Sequence, residues 1–171
     1  MKTTNVKKLV LASLMAALTC VATMVIEIPS PANGYVNLGD CVVLLSGWLL
    51  GPWYGAAAAG IGSMMADIFA GYAYYAPGTL VIKGLMGFFS AVLYRMLCKK
   101  LPKAAMVISG IAAESLMVSG YFIYAALFLG YGAIGAAASV PGNLVQGSFA
   151  LIAAMTLMAV LQRTKVQEKL I

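Results

Sequence analysis

The chain has 171 residues, of which 63% are hydrophobic and only 9% charged, with a net charge of +6. That is too little polar surface to cover a soluble domain of this length, so the expected fold is one bundle embedded in lipid. The positive balance does not indicate nucleic acid, because the basic residues border apolar runs and are not interleaved with exposed aromatics.

Lys2, Lys7 and Lys8 precede the first apolar run, Leu9 to Ile26. Its basic start is like that of a secretory signal, but no small-residue cleavage site follows and many apolar runs do, so it is expected to be a retained first helix. Ala12 and Ala16, with Ser13 and Ala17 one position on, form small-x-x-x-small pairs that let another helix approach closely, either within the fold or from a partner. The connection Glu27 to Asn37 contains IPSPANGY, whose prolines and Asn-Gly pair predict an irregular ordered loop or lid. Leu38 to Leu50 follows, an apolar run reaching only about 20 Å as a helix. Gly51-Pro52 then turns tightly into Trp53 to Ala70, where Gly51, Gly55, Ala59, Ser63, Asp67 and Gly71 recur every four residues as a smooth packing ridge.

GYAYYAP places three tyrosines before the fourth helix, Gly78 to Leu97, which carries Lys83. Arg95, Lys99, Lys100 and Lys103 surround the next break. The fifth helix, Ala104 to Leu129, holds Glu114, Met117, Tyr121 and Tyr124 on one stripe, a spacing equally suited to core packing. Gly130 to Pro141 leads to the last run, Ile134 to Leu161, with Asn143 and Gln146 in its first turns. Arg163, Lys165 and Lys169 form the tail.

Positive charge in short loops marks the cytoplasmic side. The basic groups at the start, at the mid-chain break and in the tail therefore predict an all-α integral membrane protein: a single bundle of six transmembrane helices with both termini cytoplasmic. The even crossing number is what rescues the short second helix. Cys20, Cys41 and Cys98 are odd in number and sit in apolar surroundings, which supports neither a disulfide framework nor a zinc pattern. There is no histidine and no Walker A motif, so histidine-based metal sites and nucleophilic pairs are excluded, and any ATP hydrolysis belongs to another subunit.

Counting along the helices brings the polar residues to one level. Asn37 and Asp40 open the second helix, Asp67 lies near the outer end of the third, and Lys83 is about 9 Å below the outer end of the fourth. Asn143 and Gln146 start the sixth, and Glu114, about 16 Å from Lys103, forms the floor of the same predicted cavity. Tyr74 and its neighbours lie in the loops above. Both charge signs, amides and aromatic rings at one depth suit a small polar ring-containing ligand. Lys83 has an alternative use, as an interhelical ion-pair partner of Asp67 or Asp40, and Asn143 and Gln146 have one as helix-packing glue.

YVNLGD (Tyr35 to Asp40), GPWYGAAAAGIGSMMAD (Gly51 to Asp67) and APGTLVIKGLMG (Ala76 to Gly87), in this order, resemble the substrate-binding S component of an energy-coupling factor (ECF) transporter. The similar branch is the riboflavin type, which includes hydroxymethylpyrimidine and pyridoxine proteins. The resemblance covers nearly the whole chain. It implies capture of a water-soluble vitamin or precursor, ranked hydroxymethylpyrimidine or pyridoxine first and riboflavin third. It also implies docking on a membrane coupling subunit (T component) that carries two cytoplasmic ATPase subunits, in a prokaryotic cell membrane.

The family's Ala-x-x-x-Ala motif maps onto Ala12 and Ala16 and makes them the expected partner-docking residues. Asn37, Asp40, Asp67, Tyr74, Lys83, Glu114, Tyr121, Asn143 and Gln146 are the ligand-site candidates. No cofactor, metal or nucleic acid is expected, and no catalysis by this chain. The competing classes are a self-sufficient solute channel or secondary transporter, and a membrane enzyme, for which no catalytic constellation is present.

Overall fold

A computed structural model describes residues 3–30, 34–102 and 104–164. Lys2, Lys103, Lys165, Lys169 and residues 31–33 of the predicted lid lie outside the described residues. Helix α1 (Thr3–Val25) leads into a short antiparallel hairpin, β1 (Ile28–Pro29) and β2 (Tyr35–Val36), with Ile28 opposite Val36 and Pro29 opposite Tyr35. Then come α2 (Gly39–Leu50), α3 (Pro52–Phe69), α4 (Ala76–Cys98) and α5 (Ala105–Ile123), the last ending in a π-helical turn at Tyr124–Phe128. A short α6 (Gly132–Ala137) precedes α7 (Val140–Arg163).

Proline punctuates these starts: Pro52, Pro77 and Pro141 each sit in the first turn of their helix, where a missing N–H costs nothing. Gly51, at φ +87°, makes the reversal between α2 and α3, and the Arg95 guanidinium packs over it. The architecture is a six-helix membrane bundle with a small extra helix. Val6–Val25, Ala76–Cys98, Ala105–Phe128 and Gly132–Arg163 are long and apolar enough to cross a bilayer, while Gly39–Leu50 is apolar but shorter.

The last run departs from the expected helix beginning at Ile134. Pro141 cannot donate to the carbonyl of residue 137, so α6 ends there, and Ser139 Oγ donates to the Ala136 carbonyl at 2.8 Å to close the turn.

Small residues govern the packing of α3. A Cβ at Gly55 would lie 2.7 Å from Gly47 Cα of α2, and one at Gly87 of α4 would lie 2.9 Å from the Gly55 carbonyl oxygen. The Ala16 carbonyl of α1 presses on Gly62. The ridge read from the sequence thus receives α2 and α4, while α1 packs beside it at Gly62. Val43, Leu44, Trp48, Met86, Met117, Ala150 and Met158 fill the core, and Trp48 Nε1 donates to Ser109 Oγ at 3.1 Å. Large apolar side chains such as Leu14, Val81, Phe149 and Ile152 face outward, the arrangement a lipid solvent requires.

Ala12, expected at the partner surface, is only 6% exposed and packs with Leu50 and Ala58. Ala16 is half-buried against α3, and the free small pair on α1 is Ser13 and Ala17, one position on and turned about 100°.

Candidate functional site

The polar residues gather at the hairpin end of the bundle. Helix α2 begins two residues after Asn37, whose Oδ1 accepts from the Gly39 N–H at 2.8 Å, at the start of the helix where backbone donors lack intrahelical partners. In the first turn, Asp40 is fully buried and forms an ion pair with Lys83 of α4. Its other carboxylate oxygen accepts from Gln146 Nε2 at 2.6 Å, and Gln146 Oε1 accepts from the Asn37 backbone N–H at 2.8 Å. The four residues form one satisfied network joining α2, α4, α7 and the root of the hairpin. Lys83 also lies 5.3 Å from the centroid of the Tyr121 ring, a cation–π contact. Of the two partners open to Lys83 on sequence grounds, the structure pairs it with Asp40.

Asp67 belongs to a second arrangement. Tyr35 of β2 donates its hydroxyl to Asp67 Oδ1 at 2.6 Å and so latches the hairpin onto α3. Burial, reinforced by the Asp67 charge and this hydrogen bond, holds the Tyr35 phenol well above its ordinary range. Tyr35 packs on Tyr72 at 4.8 Å between centroids, Tyr72 on Tyr74 at 6.2 Å, and Tyr74 on Tyr75 at 5.1 Å, a continuous run of rings over the bundle end. Burial also raises the Tyr75 phenol.

Beneath the hairpin lies a cavity of about 40 Å³, room for a few waters, lined by Tyr35, Asn37, Asp67, Tyr75, Thr79, Tyr121, Ser139, Asn143 and Gln146. Ser30 and Gly34 form its rim and are shared with a wider hollow of about 440 Å³ lined by Tyr72, Tyr74 and Tyr131. Five of the predicted residues, Asn37, Asp67, Tyr121, Asn143 and Gln146, therefore face one space. Tyr74 lines the outer hollow instead, with its carbonyl accepting from the Tyr124 hydroxyl at 2.9 Å. Asp40 and Lys83 brace the inner cavity without lining it. Glu114 lies in a separate hollow of about 160 Å³ between α5 and α7, with Asn143 lining both spaces.

Six cavity residues, Ser30, Gly34, Tyr35, Tyr75, Thr79 and Ser139, were not among the sequence candidates, and the last three had a helical signal. Tyr75 and Thr79 precede Lys83 by eight and four residues on one face of α4, and Ser139 precedes Asn143 by four. Thr79 Oγ1 and the Tyr121 hydroxyl are 3.0 Å apart. Ser30 had no such periodicity to reveal it. In the predicted α5 stripe, Met117 is core, whereas Tyr124 packs its ring on Gly78, where a Cβ would come within 2.7 Å of it.

Residues 3–163 match the family model for the ECF-type riboflavin transporter, S component. A thiamine precursor transporter, HmpT, of Lactococcus lactis subsp. cremoris is 28% identical over 163 residues, covering 94% of this chain and 90% of that protein. An uncharacterised protein of Pyrococcus woesei is 37% identical over 134 residues, covering 77% of this chain and 86% of its own length. A solved structure of the S component of a bacterial ECF transporter superposes with a TM-score of 0.67 at 19% identity, covering 94% of this chain and 98% of that one, and shares the fold.

Proposed function

The chain belongs to the family of ECF-type riboflavin transporter S components, and from that premise we propose that it captures a thiamine precursor of the hydroxymethylpyrimidine type under its β-hairpin. Such S components are substrate-binding subunits of transporters, not enzymes, and this one is a multi-pass membrane protein. The observation that carries the reading is the hairpin-covered cavity, where the Tyr75 and Tyr121 rings meet the amides of Asn143 and Gln146. The Tyr75 and Tyr121 rings meet edge to face at 6.3 Å and offer aromatic surface for a flat heterocycle, whose edge the amides read. The similarity to HmpT along nearly the whole chain favours a pyrimidine over pyridoxine, and both over riboflavin.

In this proposal the Asp40–Lys83–Gln146 network is a brace. It fixes the Gln146 amide and the Asn37 backbone, so that the ligand meets preset groups with no side chains left to order. The tyrosine latch from Tyr35 to Asp67 holds the hairpin shut, and its release opens the route past Ser30 and Gly34.

Lys7, Lys8, Arg95, Lys99, Lys100 and Arg163 lie at the opposite end, and this positive charge supports a cytoplasmic position for that end in a prokaryotic cell, with the hairpin facing outward. A T component and two ATPase subunits would couple capture to import, with the exposed Ser13–Ala17 face of α1 as the docking surface. Ala17→Trp should abolish co-purification with the T component and leave ligand affinity unchanged; retained assembly would reject that surface.

The direct test is a thermal-shift and native mass-spectrometry screen of the detergent-purified chain against water-soluble vitamins and precursors. A ligand present at a hundredfold excess over its Kd stabilises the folded state by about 2.7 kcal/mol, a shift such a screen resolves. A selective pyrimidine hit supports the reading; a hit for pyridoxine or riboflavin alone replaces the ligand. The absence of any hit counts against capture.

A further inference from the structure

Glu114 is the buried group for which the network above has no use. It is 7% exposed, and neither carboxyl oxygen meets a hydrogen-bond donor among the described residues. Folded proteins seldom leave such atoms unpaired. The carboxyl lines the hollow between α5 and α7, and Asn143 forms the partition between that hollow and the hairpin-covered cavity. Gly147 keeps its flank open, since a Cβ there would stand 2.8 Å from Glu114 Oε2. The buried cation Lys83 is already held by Asp40, and among the described residues no three His, Cys, Asp or Glu side chains converge on a metal position. What the carboxyl lacks is therefore a set of N–H donors of the kind an organic ligand brings.

We propose that Glu114 is the specificity-determining residue of the site: reached past Asn143, it accepts the N–H donors of an amino-substituted heteroaromatic ring. The inference rests on the capture reading above and narrows its substrate class. N–H donors brought by a ligand favour the ionised carboxylate, which offers only acceptors, so an exocyclic amino group satisfies it, whereas a ring carbonyl at the same place sets lone pair against lone pair. The residue thus selects an aminopyrimidine and rejects its oxo counterpart, along with carbonyl-edged rings such as a flavin. Asn143, which carries both a donor and an acceptor, can turn toward either hollow as the ring enters.

Calorimetric titration of the full chain in detergent with an amino-substituted hydroxymethylpyrimidine and with its oxo counterpart tests this directly. The wild type should favour the amino ring by about ten- to hundredfold, the range for hydrogen bonds to a charged group. Glu114→Gln keeps the shape and adds a donor, so it should reduce that preference to within about threefold or invert it. Equal wild-type affinity for the two rings, or an undiminished preference in Glu114→Gln, overturns the assignment and leaves capture standing. A wild type that binds neither ring nor any vitamin in the screen removes the capture reading and this inference with it. Should the Gln variant not fold, Glu114→Asp, one methylene shorter, should weaken the amino ring about tenfold and spare the oxo ring; an unchanged ratio there is equally fatal.

Discussion

The seams of α3 and the seam between α5 and α7 are built on opposite plans. Along α3, glycine meets backbone: Gly55 on Gly47, Gly87 on the Gly55 carbonyl, Gly62 on the Ala16 carbonyl. Between α5 and α7, glycine meets the far end of a side chain, Gly110 under Leu151 and Gly147 beside Glu114, and a hollow remains. Backbone-on-backbone packing has no soft part to yield, whereas a seam of side-chain tips can adjust by rotamer. The bundle thus combines a stiff platform, α1 to α4, with a wall that can fit itself to a ligand. The ion pair from Asp40 to Lys83 lies within the platform, and Gln146 and the Tyr121 ring link it to the wall.

The largest expected effect breaks the platform from within. Lys83→Met strands the Asp40 carboxylate in the interior and should cost about 3–5 kcal/mol, read as loss of the thermal transition in detergent. Lys83→Met with Asp40→Leu should recover most of that loss, because the cost lies in the orphaned charge. Next, Gly55→Ala drives a methyl into the Gly47 backbone and should destabilise by about 1–3 kcal/mol. The same change at Gly110 meets only the tip of Leu151 and should leave the melting temperature nearly unmoved; equal losses at the two sites would erase the distinction between the seams.

The smallest effect is at the latch. Tyr35→Phe should cost about 1 kcal/mol at neutral pH and speed ligand dissociation. Its signature is alkaline. The folded phenol ionises only well above the ordinary tyrosine value of 10.0, so the unfolded chain binds fewer protons once pH passes that value and wild-type stability falls. Tyr35→Phe should flatten this fall in a pH-dependent melting series.

Much of this was legible in the sequence because one-dimensional patterns record depth. The apolar run lengths and the charge placement correctly predicted the six-helix membrane bundle, and counting residues put Asn37, Asp67, Asn143 and Gln146 at one level, with Tyr121 marked by the α5 stripe. Azimuth was far less legible. Asp40 and Asp67 stand at similar depth, and only the packed helices decide that Lys83 meets the former. Ala12 and Ser13 are both small, so spacing alone could not tell which faces α3 and which faces out. The same blindness put Glu114 on the floor of the main cavity, although it lines the neighbouring hollow. The break before Val140 was masked because α6 is as apolar as the helix it precedes.

Helix α2 has 12 residues, a rise of about 18 Å against a hydrocarbon core of about 30 Å. Ten of its residues are buried, so protein and not hydrocarbon surrounds it, and its polar start at Asp40 is shielded from lipid by the longer helices. A span too short for the membrane is tolerated there because neighbouring side chains, not acyl chains, meet the groups at its ends.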